Sequence, residues 1–171
     1  SPNGTWDIAT QAVANALIAL NPPAILIPLN LVTNGDFEAG QTDDWYQWSQ
    51  TAQRITSTMT YASSKYALEF LIHNTYARDI QHAYTPVTEG ARYSLSAQMN
   101  TQSMPTGQLG MEMKWYTSGN ALISTSPCSL TGVASGWALK SCALTAPPKA
   151  ARARVRLYTT KGSGQAYVDA V

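Results

Sequence analysis

Arg152-Ala153-Arg154-Val155-Arg156-Leu157-Tyr158 alternates between a long polar side chain and an apolar one. Successive side chains of a strand point to opposite faces, so this period of two predicts a half-buried strand. Ala153, Val155 and Leu157 would turn inward, and Arg152, Arg154, Arg156 and Tyr158 outward. The same period recurs upstream. Tyr93, Leu95, Ala97 and Met99 alternate with Ser94, Ser96, Gln98 and Asn100, and Met111, Met113 and Trp115 alternate with Glu112, Lys114 and Tyr116. Turn residues separate these runs at Glu89-Gly90, Ser118-Gly119-Asn120, Ala134-Ser135-Gly136 and Lys161-Gly162-Ser163-Gly164. Many short strands at this spacing predict an all-β fold, a jelly-roll β-sandwich over residues 31–171.

Residues 1–30 differ in texture. Thr5 to Leu20 is rich in Ala and Leu and reads as a short helix, with Thr5 as N-cap and Asp7 near the positive end of the dipole. Asn21-Pro22-Pro23 stops it. Ile25 to Leu31 is apolar with Pro28 inside, which suits an edge strand or an extended linker. The expectation is an N-terminal extension packed on the sandwich, the alternative being a junction to an upstream domain. Ala12–Leu20 is interrupted by Asn15 and falls short of a transmembrane span. The opening Ser1-Pro2-Asn3-Gly4-Thr5-Trp6-Asp7 has no basic region, so no signal peptide is expected within it.

Charged residues make up 12% of the 171, and the formal net charge is +1. That balance gives no electrostatic reason to expect nucleic acid or an anionic membrane as partner. Hydroxyl and aromatic side chains are prominent instead, as in a secreted or cell-surface β-protein that meets neutral ligands. The five Trp exceed what the core of such a sandwich needs. Cys128 and Cys142 flank the turn-like segment Leu130–Gly136. If the flanks pair as neighbouring strands, the thiols face each other and form a hairpin disulfide in an oxidising compartment; the alternative is two separately buried thiols. No Cys-x-x-Cys spacing suggests zinc.

Leu31-Val32-Thr33-Asn34-Gly35-Asp36-Phe37-Glu38 followed by Trp45 resembles the first strand of carbohydrate-binding modules of families four, nine and twenty-two, within the galactose-binding-like jelly rolls. Ser64-Lys65-Tyr66-Ala67-Leu68, Val87 to Ala97, Trp115-Tyr116, Gly136-Trp137 and Ala166-Tyr167-Val168-Asp169 agree with the same pattern in order. The resemblance covers residues 31–171 and implies non-catalytic binding of polysaccharide or cell-surface glycan. Other domains of the same parent protein would be further partners. It also implies a structural calcium where the first and last strands meet, with Asp36, Glu38 and Asp169 as acidic candidates and Ser64 or Lys65 contributing backbone oxygen. The bland alternative is that Asp36 and Asp169 only accept turn hydrogen bonds.

Neutral glycans are bound by flat aromatics stacked on pyranose C–H faces, with the hydroxyls met by amides, Arg and carboxylates. The outward sets therefore nominate Gln98, Asn100, Glu112, Lys114, Tyr116, Arg154, Arg156 and Tyr158. Trp45-Tyr46-Gln47-Trp48 adds Tyr46 and Trp48, opposite in phase to a core Trp45. Tyr76 and Tyr84 flank an expected strand at Ala77–His82 and complete the candidates. Trp115 and Trp137 are assigned to the core. His73 and His82 lie in no nucleophile motif, and no spacing of Glu112 with Glu89 or Asp79 demands a glycosidase pair. The chain therefore reads as a glycan-binding module rather than an enzyme, with a structural or adhesive module of a surface protein as the alternative.

Overall fold

The alternating runs become strands of two stacked antiparallel sheets. The computed structural model describes residues 30–40, 44–46 and 53–171. The expected helix, most of the stretch from Ile25 to Leu31, and Trp48 lie outside the described residues. The strands are β1 (Trp45–Tyr46), β2 (Gln53–Thr56), β3 (Ala67–Ile72), β4 (Arg78–His82), β5 (Thr85–Pro86) and β6 (Arg92–Asn100). They continue as β7 (Leu109–Tyr116), β8 (Leu122–Thr131), β9 (Trp137–Thr145), β10 (Arg152–Thr159) and β11 (Gly164–Asp169). The first sheet runs β1-β4-β10-β7-β8, with β5 also beside β10, and the second runs β2-β3-β11-β6-β9.

Apolar phases of both sheets meet between them. Trp45, Ile80, Met111, Trp115, Val155 and Leu157 come from the first sheet, and Leu68, Phe70, Leu95, Ala97, Met99 and Val168 from the second. Each large side chain so buried contributes about 1.5–3 kcal/mol. The buried indoles keep their N–H groups satisfied, as burial requires. Trp45 Nε1 donates to the Asn34 carbonyl at 3.1 Å and Trp115 Nε1 to Ser126 Oγ at 2.9 Å.

Two expectations are corrected here. Cys128 and Cys142 are bonded, with their Cα atoms 5.5 Å apart, but not across a hairpin. β8 is an edge strand of the first sheet and β9 an edge strand of the second, so the bond ties the two sheets together along one side. The turn signal at Ala134-Ser135-Gly136 belongs to a connection that changes sheets, which spacing alone does not distinguish from a hairpin. Trp137 is also not in the core. It registers with Asn100, shares the outer phase of β9 with Leu139, and lies half-buried and edge-on to Tyr61 at 5.9 Å.

The chain's first described segment and its last lie side by side. The Val171 N–H donates to the Gly35 carbonyl at 2.9 Å. A Cβ on Gly35 would sit 2.4 Å from the Val171 carbonyl oxygen, so the close approach requires glycine.

Candidate functional site

The outer face of the first sheet collects the polar phase of four strands. Register places Arg156 between Gln81 and Glu112, Arg154 beside Lys114, Arg152 beside Tyr116, and Tyr158 between Asp79 and Gly110. Tyr46, 47% exposed, stands opposite Gln81 at one edge.

Arg156 is the hub. Its Nε donates to Asp79 Oδ2 at 2.8 Å and its Nη1 to Glu112 Oε1 at 2.9 Å. Gln81 Nε2 donates to the same Asp79 oxygen at 3.2 Å. Burial opposes the Arg156 charge, but the hydrogen bonds to Glu112 and Asp79 outweigh it and raise the guanidinium's pKa. The guanidinium carbon lies 4.7 Å from the centre of the Tyr158 ring. That ring in turn covers Gly110: a Cβ there would come within 2.3 Å of Tyr158 Cζ.

Arg154 is held differently. Its Nε donates to the His82 carbonyl at 2.7 Å, and its guanidinium lies 4.8 Å from the Tyr84 ring centre and 5.2 Å from that of Tyr46. Cations over aromatic faces at such distances are attracted by the ring quadrupole. Tyr84 meets Tyr116 edge-on at 5.0 Å. Arg152 Nη1 donates to Asn120 Oδ1 at 2.7 Å. Burial, reinforced by Tyr84 for Tyr116 and by Glu112 for Tyr158, raises both phenol pKa values, so both hydroxyls stay protonated as donors at neutral pH.

The structure thus brings Tyr46, Glu112, Tyr116, Arg154, Arg156 and Tyr158 onto one face. Gln98 and Asn100 are corrected: β6 belongs to the second sheet, paired with β9 and β11. Asn100 is buried there, its Oδ1 accepting the Gln102 N–H at 3.1 Å. Tyr76 lies in the loop before β4, stacked on His73 at 4.3 Å, with the Arg78 guanidinium also 4.3 Å from its ring centre. Its ring is engaged by its own neighbours. Arg152, Asp79 and Gln81 join the face without having been nominated. Arg152 was available from the alternation that supplied Arg154, whereas Asp79 and Gln81 became part of the face only through the pairing of β4 with β10.

A separate polar cluster forms where the first described segment meets the last. Glu38 Oε1 accepts the N–H groups of Lys65 and Tyr66, both at 2.8 Å, and Asp36 Oδ1 accepts the Glu38 N–H at 3.3 Å. Asp169 is fully buried; its Oδ1 accepts the Ala170 N–H at 2.7 Å and its Oδ2 the Tyr61 N–H at 3.3 Å. Burial raises its pKa, against the lowering by these donors and the Ser64 hydroxyl, and the nearby Glu38 charge pushes the same way as burial. Among the described residues no group of three or more His, Cys, Asp or Glu forms a metal cluster.

No protein-family model matches the sequence, and no curated protein matches it. Solved structures do. A family 16 carbohydrate-binding module superposes with a TM-score of 0.64 at 15% identity, over 82% of this chain and 96% of that one. The sandwich has the jelly-roll fold of carbohydrate-binding modules. The C-terminal family 22 module of Clostridium thermocellum Xyn10B agrees at a TM-score of 0.55 and 15% identity, over 80% of this chain and 92% of the module. The enzymatically active domain of tailspike protein 4 of bacteriophage CBA120 reaches 0.68 at 11% identity, over 82% of this chain. The chain spans only 20% of that tailspike domain, against nearly the whole of each module.

Proposed function

We propose that the sandwich is a non-catalytic glycan-binding module whose ligand lies across the outer face of the first sheet. The observation that carries this reading is the face itself: Tyr46, Tyr84, Tyr116 and Tyr158 interleave with arginines fixed by carboxylates and by a backbone carbonyl. Tyr116 is buried, so pyranose C–H faces would stack on the exposed rings of Tyr46 and Tyr84, and prepositioned donors meet hydroxyls without paying ordering entropy on binding. The carbohydrate-binding modules that share the fold support the same ligand class. Asp79 and Glu112 both hold Arg156, an arrangement suited to fixing a donor rather than to passing protons.

The module would anchor a parent extracellular protein to polysaccharide, where tethering raises the effective concentration of whatever domain accompanies it. The disulfide supports an oxidising compartment. We also propose a structural calcium beside Glu38 and Asp169. Two neighbouring carboxylates, one fully buried, have no salt-bridging Lys or Arg among the described residues, and a hard cation would relieve their repulsion. Backbone oxygens and water would have to complete its six to eight ligands. A melting temperature that rises with calcium and falls with chelator checks that assignment.

Affinity electrophoresis through gels holding soluble polysaccharides tests the main proposal. Retardation by one glycan class, lost in Tyr46→Ala and Tyr84→Ala variants that keep their circular dichroism, is expected. Free migration through every glycan would remove the proposal and return the chain to a structural or adhesive role.

A further inference from the structure

The arginines of the glycan face are not equally neutralised. Four cationic side chains, Lys114, Arg152, Arg154 and Arg156, face outward with two carboxylates, Asp79 and Glu112. Both carboxylates are taken by Arg156. Among the described residues none lies within salt-bridge distance of Arg154 or Arg152. The whole chain carries a formal net charge of only +1, so this excess is local to the face and not a general basicity.

Arg154 is also oriented. Its one hydrogen bond among the described residues uses Nε, to the His82 carbonyl, and two tyrosine rings lie within 5.2 Å of its guanidinium carbon. A guanidinium anchored through Nε and flanked by rings presents its Nη groups as a planar fork. That fork matches the two oxygens of a carboxylate or the face of a sulfate. A neutral sugar needs no uncompensated cation at the centre of its site, whereas an anionic one is both attracted to it and bound through paired hydrogen bonds.

We infer that the ligand is an acidic glycan, with Arg154 receiving an anionic substituent and Arg152 adding charge beside it. This rests on the glycan-binding reading above and names the substrate class for that site.

Calorimetric titration with a polyuronate, a sulfated galactan and an unsubstituted galactan of similar length separates the possibilities. The acidic chain is expected to bind at least about tenfold more tightly than the neutral one, equivalent to about 1.4 kcal/mol. That preference should shrink as salt rises from about 50 to about 500 mM, because the contributing charges are partly exposed. Preference for the polyuronate identifies carboxylate as the anion, and preference for the sulfated chain identifies sulfate. In Arg154→Gln the acidic-to-neutral affinity ratio should fall towards one. Arg154→Lys, which keeps charge but not the fork, should fall between, and both variants are checked by thermal melting. Neutral galactan binding as tightly as the acidic chains, with no salt dependence, would overturn the inference and leave the glycan reading standing. Absence of binding to all three would overturn the inference as well, and the glycan reading would then stand or fall on the electrophoresis panel.

Discussion

On the outer face of the first sheet, β10 presents Arg152, Arg154, Arg156 and Tyr158; on the outer face of the second sheet, β6 and β9 present Ser94, Ser96, Ser141 and Ala143, with half-buried Trp137 and exposed Leu139 at one end. Both faces arise from the same period of two. The second sheet's larger polar groups are directed at one another: Arg54 pairs with Glu69, and the Tyr167 hydroxyl donates to Glu69 Oε1 at 3.5 Å. Glu69 and Tyr167 are buried in consequence. The first sheet instead leaves Tyr46 and Tyr84 exposed around an arginine without an acid partner among the described residues. Alternation therefore marks a surface, and the size and pairing of the outward side chains separate the proposed recognition face from the opposite one.

The strongest challenge to that contrast is to uncouple the sheets. Replacing both Cys128 and Cys142 by Ala removes the tie between the β8 and β9 edges and should cost about 3 kcal/mol in denaturant unfolding, while glycan selectivity persists. A change of selectivity would mean that the face depends on the second sheet. Next in size is Gly110→Ala. The new Cβ would fall within 2.3 Å of the Tyr158 ring and displace it. Glycan affinity should drop about tenfold with a stability loss of about 1–2 kcal/mol, read by calorimetry and thermal melting.

A smaller effect comes from His82 beneath the same face. Its Nε2 accepts the Thr33 N–H at 3.1 Å, which makes Nδ1 the protonated nitrogen and the donor to the Ala83 carbonyl at 3.1 Å. Burial lowers its pKa from the ordinary value of 6.5. The unfolded chain takes up that proton near 6.5 while the folded one resists it. Stability is therefore full above 6.5 and falls as pH drops from there towards the lowered value. Melting at pH about 7.5 and about 5.5 should show this loss, and His82→Gln should flatten it. Least of all, Ser94→Ala and Ser96→Ala should change stability by no more than about 0.5 kcal/mol and leave retardation in glycan gels unaltered.

Much of the fold was legible because strand phase survives packing. Val155 and Leu157 lie in the core and Arg154 and Arg156 outside it, as their alternation requires. What alternation does not encode is the sheet a strand joins. Gln98 and Asn100 share a phase rule with Glu112 and Tyr116, yet β6 and β7 are consecutive strands in different sheets, so the candidate face divided. The same limit turned the Cys128–Cys142 connection into an apparent hairpin. Trp137 is large and apolar, yet its register with Asn100 puts it on the outer side of the second sheet. The role of Asp79 depends on a partner 77 residues away, Arg156, and no local pattern announces it.

Backbone amide chemical-shift mapping during titration with a bound oligosaccharide tests the central claim most directly. The account predicts perturbations centred on β4, β7 and β10, strongest around Gln81, Glu112, Arg154 and Arg156, with β6, β9 and β11 quiet. Perturbations centred on β6 and β9, or on the loops around Tyr76 alone, would contradict it.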